Sequence, residues 1–168
     1  MKRTCIIYGS TTGTCEGLAS KIADKLGITS NDIINVNDFK EEMIAQYDNL
    51  LLGTSTWGAG DLQDDWYSSG MKILQNSDLS GKTVAIFGCG DSASYGDTFC
   101  GGMAELYETV KQKGANVVGS VDADDYMYES SAAVLNGEFV GLALDEDNES
   151  DKTDARIEKW VEQIKNSL

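Results

Sequence analysis

Apolar residues follow two rhythms that alternate along the chain. Continuous runs of strand formers occur at Cys5-Ile6-Ile7-Tyr8, Ile33-Ile34-Asn35-Val36, Asn49-Leu50-Leu51-Leu52-Gly53, Thr83-Val84-Ala85-Ile86-Phe87 and Asn116-Val117-Val118-Gly119. Between and after them the spacing changes to three or four. Leu18, Ile22 and Leu26 lie on one face with Ala19 and Ala23; Leu62, Trp66, Ile73 and Leu74 follow across Gly70; then come Met103, Leu106, Tyr107 and Val110, and finally Ile157, Trp160, Val161, Ile164 and Leu168. An unbroken apolar run suits a strand covered on both faces, and a stripe at helical spacing suits a helix that covers it. The alternation predicts an α/β chain: a doubly wound, five-stranded parallel sheet with helices on both faces. Gly27 and Gly114 end helices, Asn37-Asp38-Phe39 opens a brief helical turn near Met43-Ile44, and Thr153 or Asp151 caps the last helix. Residues Ser120 to Glu138 separate strand five from the apolar run Phe139–Leu144, so the last strand is expected to be split by an insertion. There is no internal repeat, no proline and no linker-like tract, so residues 1–168 read as one domain.

Three polar, glycine-rich stretches sit where the first, third and fourth strands end. In a doubly wound sheet, ligands bind outside the carboxyl ends of the strands. The first stretch, Gly9-Ser10-Thr11-Thr12-Gly13-Thr14-Cys15, joins a strand to a helix, whose first N–H groups lack internal partners and carry partial positive charge. Glycines and hydroxyls there suit an anion, although an ordinary capped helix start has the same composition. The loop has no lysine or arginine, so it is not the phosphate loop of a nucleotide-splitting enzyme. It suits a phosphate that is held and not transferred. The second stretch, Thr54-Ser55-Thr56-Trp57-Gly58-Ala59-Gly60-Asp61, and the third, Gly88-Cys89-Gly90-Asp91-Ser92-Ala93-Ser94-Tyr95-Gly96-Asp97, each place one large aromatic among small residues. Neither Trp57 nor Tyr95 belongs to a periodic apolar face, and together they describe a slot for a flat ring.

Charge narrows the partners. With 28 acidic against 13 basic residues, the formal net charge of −15 repels nucleic acid and anionic membranes and favours basic partners. Histidine, the commonest general base and metal ligand, is absent. Cys5, Cys15, Cys89 and Cys100 show no metal-binding spacing and read as reduced thiols in a cytoplasmic protein. The apolar run after Lys2 and Arg3 is too short for a signal peptide, and no stretch has the length of a membrane span. Gly88-x-Gly90-x-x-Ala93 mimics a dinucleotide fingerprint, but no helix opens at once and no acid ends a strand about 20 residues on.

These stretches resemble the flavodoxin family, and the likeness runs over essentially the whole chain. Gly9-Ser10-Thr11-Thr12-Gly13-Thr14-Cys15-Glu16 is similar to the family's phosphate loop, with Cys15 where a threonine is usual. The resemblance implies FMN as cofactor, its phosphate on Ser10, Thr11, Thr12, Gly13, Thr14 and Cys15. Cys15 is expected to supply a backbone N–H in place of a hydroxyl. Trp57 would cover one face of the flavin, within Ser55, Thr56, Gly58, Ala59 and Gly60. Tyr95 would stack on the other, with Cys89, Gly90 and Asp91 nearby. Asp97 to Cys100, including Phe99, would border the pyrimidine edge, and Asp147 would reach the ribityl chain. The insertion is similar to that of the long-chain subgroup, and the strand order 2-1-3-4-5 is carried over from the family.

The family likeness implies a low-potential one-electron carrier, shuttling FMN between semiquinone and hydroquinone, and not an enzyme. The Gly58-Ala59 peptide would flip so that its carbonyl accepts a bond from the protonated flavin. Partners would be redox proteins, such as a flavodoxin/ferredoxin-NADP reductase or a 2-oxoacid oxidoreductase. They would dock on a monomer through an acidic rim of Asp61, Asp64, Asp65 and Asp97. The alternative on the same fold is an FMN-dependent NAD(P)H:quinone reductase, which would need a second substrate pocket. A chain that keeps the fold without flavin is a third possibility.

Overall fold

The computed structural model describes residues Met1 to Leu168. Strands β1 (Thr4–Gly9), β2 (Ile33–Asn35), β3 (Asn49–Trp57), β5 (Thr83–Cys89) and β10 (Leu142–Leu144) form the sheet path β10-β5-β3-β1-β2, all pairs along it parallel. Counted as the five strands of the sequence reading, this is order 2-1-3-4-5. Side chains alternate across it: Cys5 and Ile7, Leu50 and Leu52, Val84 and Ile86 enter one buried cluster, while Ile6 and Tyr8, Leu51, Ala85 and Phe87 enter the other. Helices α1 (Thr14–Leu26) and α4 (Ser150–Ile164) cover the second face, and α2 (Met71–Gln75) and α3 (Gly102–Gln112) the first. Each fully buried Leu or Ile contributes about 1.5–3 kcal/mol. No helix is long and apolar enough to cross a membrane.

The last strand is split as the apolar pattern suggested. β6 (Asn116–Val118) pairs with the start of β5, placing Val118 beside Ala85, and β10 resumes with Leu142 beside Phe87. Gly141 makes the re-entry possible, because a Cβ there would collide with the Ile86 carbonyl. Between these halves the chain builds an antiparallel sheet of β7 (Val121–Asp122), β8 (Val134–Leu135) and β9 (Glu138–Phe139), in the order β7-β9-β8. The expected apolar run Phe139–Leu144 therefore belongs to two sheets. Phe139 is drawn away by an aromatic cluster with Phe99, Tyr126 and Tyr128. Asn136 and Gly137, at φ 55° and 82°, join β8 to β9. Asn-Gly between short apolar pairs is a strong hairpin signal.

Three boundaries differ from expectation. β3 runs on to Trp57, because β4 (Asp61–Leu62) folds back on it with Thr56 opposite Leu62. The second polar stretch is therefore a hairpin whose turn is Gly58-Ala59-Gly60. The helix after it opens with a wide π turn, Trp66–Gly70. Gly70 leaves room there for the Trp66 ring, whose Nε1 donates to the Gly53 carbonyl at 2.9 Å. Helix α4 starts before both expected caps, with Glu149 at the cap position and Thr153 buried.

Candidate functional site

The loops after β1, β3 and β5 meet the segment after β10 around a cleft of about 280 Å³. Thr12 and Thr14 line it from the first loop. Ser55, Thr56, Trp57 and Gly58 line it from the hairpin, and Cys89, Gly90, Asp91, Tyr95, Phe99 and Cys100 from the third loop, with Asp147 at the remaining side. Two residues absent from the sequence-based set also line it, Thr98 and Glu146. Thr98 falls inside the Asp97–Cys100 span, and Glu146 adjoins Asp147. Ser10, Thr11, Gly13, Cys15, Ala59, Gly60 and Asp97 are not among the lining residues. Ser10 acts within its own loop, its Oγ accepting the Gly13 N–H at 3.2 Å. Ala59 and Gly60 form the hairpin turn, and Asp97 is exposed, its carbonyl accepting from Ser130 Oγ at 2.7 Å.

Helix α1 begins from Gly13 in the left-handed region, φ 92°, and no side chain caps it. Its first N–H groups are thus left for an outside acceptor. Trp57 is 41% exposed and Tyr95 58%. The indole is oriented by its Nε1, which donates to Ser55 Oγ at 2.8 Å. The Tyr95 loop is braced from both sides. Asp91 Oδ1 accepts from the Ser94 N–H at 3.0 Å and from Asn148 Nδ2 at 2.8 Å. The insertion donates the Glu129 and Ser130 N–H groups to the Gly96 carbonyl at 2.8 and 2.9 Å. Cys100 takes the left-handed conformation, φ 52°, unusual for a residue with a side chain.

The cleft is acidic and lined by no cation. Carboxylate oxygens of Asp91, Asp145 and Asp147 lie within 4.8 Å of one another. Asp145 is buried and already accepts from Ser92 N and Oγ and from Asn148 N and Nδ2. Bonds from Ser94 and Asn148 hold the Asp91 carboxyl below the ordinary value. Burial, then the charges of Asp91 and Asp145, push Asp147 up. Two lining groups have buried oxygens without a hydrogen-bond partner, Thr98 Oγ1 and Glu146 Oε1. Buried polar atoms are nearly always paired, so these two mark places for a ligand's polar groups.

Cys15 lies in the first turn of α1. Its thiol is fully buried with Leu18, Ala19 and Ile22 in the core under the sheet and does not face the loop's anion side. Contact with the Cys89 thiol, then burial, pushes it up. Burial does the same to Cys100 and raises Cys5 to about 12, so these thiols stay protonated at neutral pH. All four cysteines are free and buried.

The family model described as flavodoxin matches residues 6–160. Flavodoxin 1 of Azotobacter vinelandii is 44% identical over 164 residues, covering 96% of this chain and 94% of that protein. The flavodoxin of Helicobacter pylori is 40% identical over 168 residues, covering 100% and 99%. The crystal structure of Fusobacterium nucleatum flavodoxin bound to flavin mononucleotide, 36% identical, superimposes with a TM-score of 0.91 over 100% of this chain and 99% of that one. Sequence and fold together place this chain in the flavodoxin family.

Proposed function

We propose that residues 1–168 form one FMN-carrying unit that passes single electrons between larger redox proteins. The observation that carries this reading is one cleft with two half-exposed aromatics on separate loops and an uncapped helix N-terminus at its edge. FMN supplies the redox chemistry when bound, and the chain's residues bind and orient it. The α1 N–H groups, with Ser10, Thr11, Thr12, Gly13 and Thr14, would hold the phosphate; Cys15 would add only its backbone N–H. Trp57 and Tyr95 would flank the ring within Ser55, Thr56, Gly58, Ala59, Gly60, Cys89, Gly90 and Asp91. Asp97, Phe99 and Cys100 would border one edge, and Asp147 the ribityl chain. The unpaired Glu146 Oε1 fits this ligand, whose ribityl hydroxyls and ring N–H offer donors; Thr98 Oγ1 can bond the same groups.

The lining acids oppose added negative charge. One unit charge about 10 Å away in water contributes roughly 0.4 kcal/mol, less in salt. Several give on the order of 1–2 kcal/mol, and 1.4 kcal/mol is about 59 mV for one electron. Charge therefore lowers the potential by under roughly 0.1 V, and ring packing and the Gly58-Ala59 turn carry the rest. The quinone-reductase alternative is not favoured, since the matched relatives are flavodoxins. The test is mass analysis of the flavin released from the purified protein. FMN is expected, and FAD would overturn the assignment of the phosphate loop.

Docking through the acidic rim belongs to the same proposal, with a monomeric cytoplasmic carrier meeting a basic reductase or 2-oxoacid oxidoreductase. Asp61, Asp64 and Asp97 are exposed, whereas Asp65 is half-buried and accepts from Gln63 Nε2 at 2.8 Å. The rim is thus better tested with three positions than with four. Replacing Asp61, Asp64 and Asp97 with Asn should slow electron transfer to a basic reductase roughly tenfold at low salt and flatten its dependence on ionic strength. Stopped-flow rates indifferent to both changes would remove the rim from encounter.

A further inference from the structure

Gln63 is a polar side chain only 2% exposed, placed just after β4 and absent from the sequence-based set. Its backbone N–H donates to Thr54 Oγ1 at 3.2 Å, and Thr54 Oγ1 in turn donates to the Ser55 carbonyl at 2.8 Å. The side-chain amide has one orientation available. Its Oε1 accepts the Asp65 backbone N–H at 3.0 Å, so its NH₂ faces the other way. That NH₂ donates to Asp65 Oδ2 at 2.8 Å and to Thr11 Oγ1 at 3.1 Å. Gly9 lies directly under the amide: a Cβ there would collide with Gln63 Oε1 and come within 2.6 Å of the Trp66 ring. Gln63 therefore ties the hairpin loop to the first loop across 52 residues of sequence. The bond also has a polarity. Because the amide donates, Thr11 Oγ1 accepts, and the hydroxyl's own proton is free for another acceptor.

We propose that Gln63 is a positioning residue for the anion loop Ser10–Cys15. It locks the loop to the hairpin and turns the Thr11 hydroxyl into a donor toward the phosphate. This rests on reading that loop as the FMN phosphate site. The alternative is that Gln63 only fills space above Gly9, and the two make different demands on the phosphate.

The experiment compares FMN with riboflavin, which lacks the phosphate, by fluorescence titration of the apoprotein. The variants are Gln63→Glu, Gln63→Met and Thr11→Val. Gln63→Glu keeps the shape but turns donor into acceptor, so Thr11 must donate inward. Gln63→Met keeps the bulk and removes the bond. The proposal predicts that the preference for FMN over riboflavin falls about tenfold or more in Gln63→Glu and about threefold or more in Gln63→Met. Riboflavin affinity should stay within threefold of wild type. Thr11→Val, at an exposed position that does not threaten folding, should lose at least as much of the preference as Gln63→Met, and the double variant should be no worse than Thr11→Val alone. As an independent readout, the rise in apoprotein Tm with inorganic phosphate should shrink in all three. An unchanged preference in Thr11→Val and Gln63→Met, or an equal loss for both flavins, would overturn the proposal. Wild-type protein binding both flavins equally would overturn the phosphate-site reading itself, and this proposal with it.

Discussion

Replacing Trp57 and Tyr95 together with alanine should weaken FMN binding to the apoprotein by about 10³-fold. Both rings are half-exposed on loops lining the cleft, so both have surface left to bury against a flat ligand. Covering that surface and stacking on it amount to about 2 kcal/mol per ring. Two rings give about 4 kcal/mol, and 1.4 kcal/mol is tenfold in affinity. The apoprotein should tolerate the change, because neither ring belongs to a core cluster and the bond to Ser55 Oγ is the one hydrogen bond the Trp57 side chain makes. Fluorescence titration of the double variant measures the loss. A loss below tenfold, in a protein of unchanged Tm, would place the flavin elsewhere.

Arg156→Met should lower Tm by roughly 5–10 °C. Arg156 is 9% exposed and makes three contacts: Nη2 donates to Glu149 Oε1 at 3.2 Å and to the Asp125 carbonyl at 3.4 Å, and the guanidinium lies 4.0 Å from the centre of the Tyr126 ring. Tyr126 in turn donates its hydroxyl to the Ala143 carbonyl at 2.8 Å. The arginine thus clasps the insertion to α4 and to the Asp145–Glu149 segment at the cleft. Breaking a buried pair from one side costs about 3–5 kcal/mol, less here because Lys152 still neutralises Glu149 at 2.7 Å. The Arg156 Nε and Nη1 atoms are buried without partners and offset part of that cost, so a net loss of about 2–3 kcal/mol is expected, which shifts Tm by about 2–4 °C per kcal/mol in a chain of this size. The bond from Lys152, then the charge of Arg156, hold Glu149 below its ordinary value of 4.5. A carboxyl depressed on folding stabilises above its unfolded value and loses that contribution as pH falls through the lower folded one. The difference between wild type and variant should therefore narrow as the pH falls below the ordinary value of 4.5. Equal thermal unfolding curves at neutral pH would show that the clasp does not support the fold.

The sheet and most helix faces were legible because long apolar runs and helical stripes carry a strong periodic signal. The cleft was legible from three glycine-rich loops at strand ends, two of them with a solitary aromatic. What escaped had short or aperiodic signals. β4, β7, β8 and β9 are two residues each, too short for any period, although Asn136-Gly137 announced one hairpin. The family resemblance gives Cys15 only a backbone N–H toward the phosphate and leaves its thiol unplaced. Its spacing to Leu18, Ala19 and Ile22, three, four and seven residues on, already put it on the buried face of α1. Gln63 and Arg156 are polar residues whose burial comes from distant segments, Thr11 and Gly9 for one, Asp125 and Tyr126 for the other. No local pattern encodes such contacts.

An anaerobic reductive titration of the FMN-loaded protein, followed by absorbance against measured potential, tests most directly whether electrons pass singly through bound FMN. One FMN per chain should be reduced in two separated one-electron steps, the second at low potential. A protein that retains no FMN, or one reduced in a single two-electron step directly by NAD(P)H, would contradict single-electron passage through FMN.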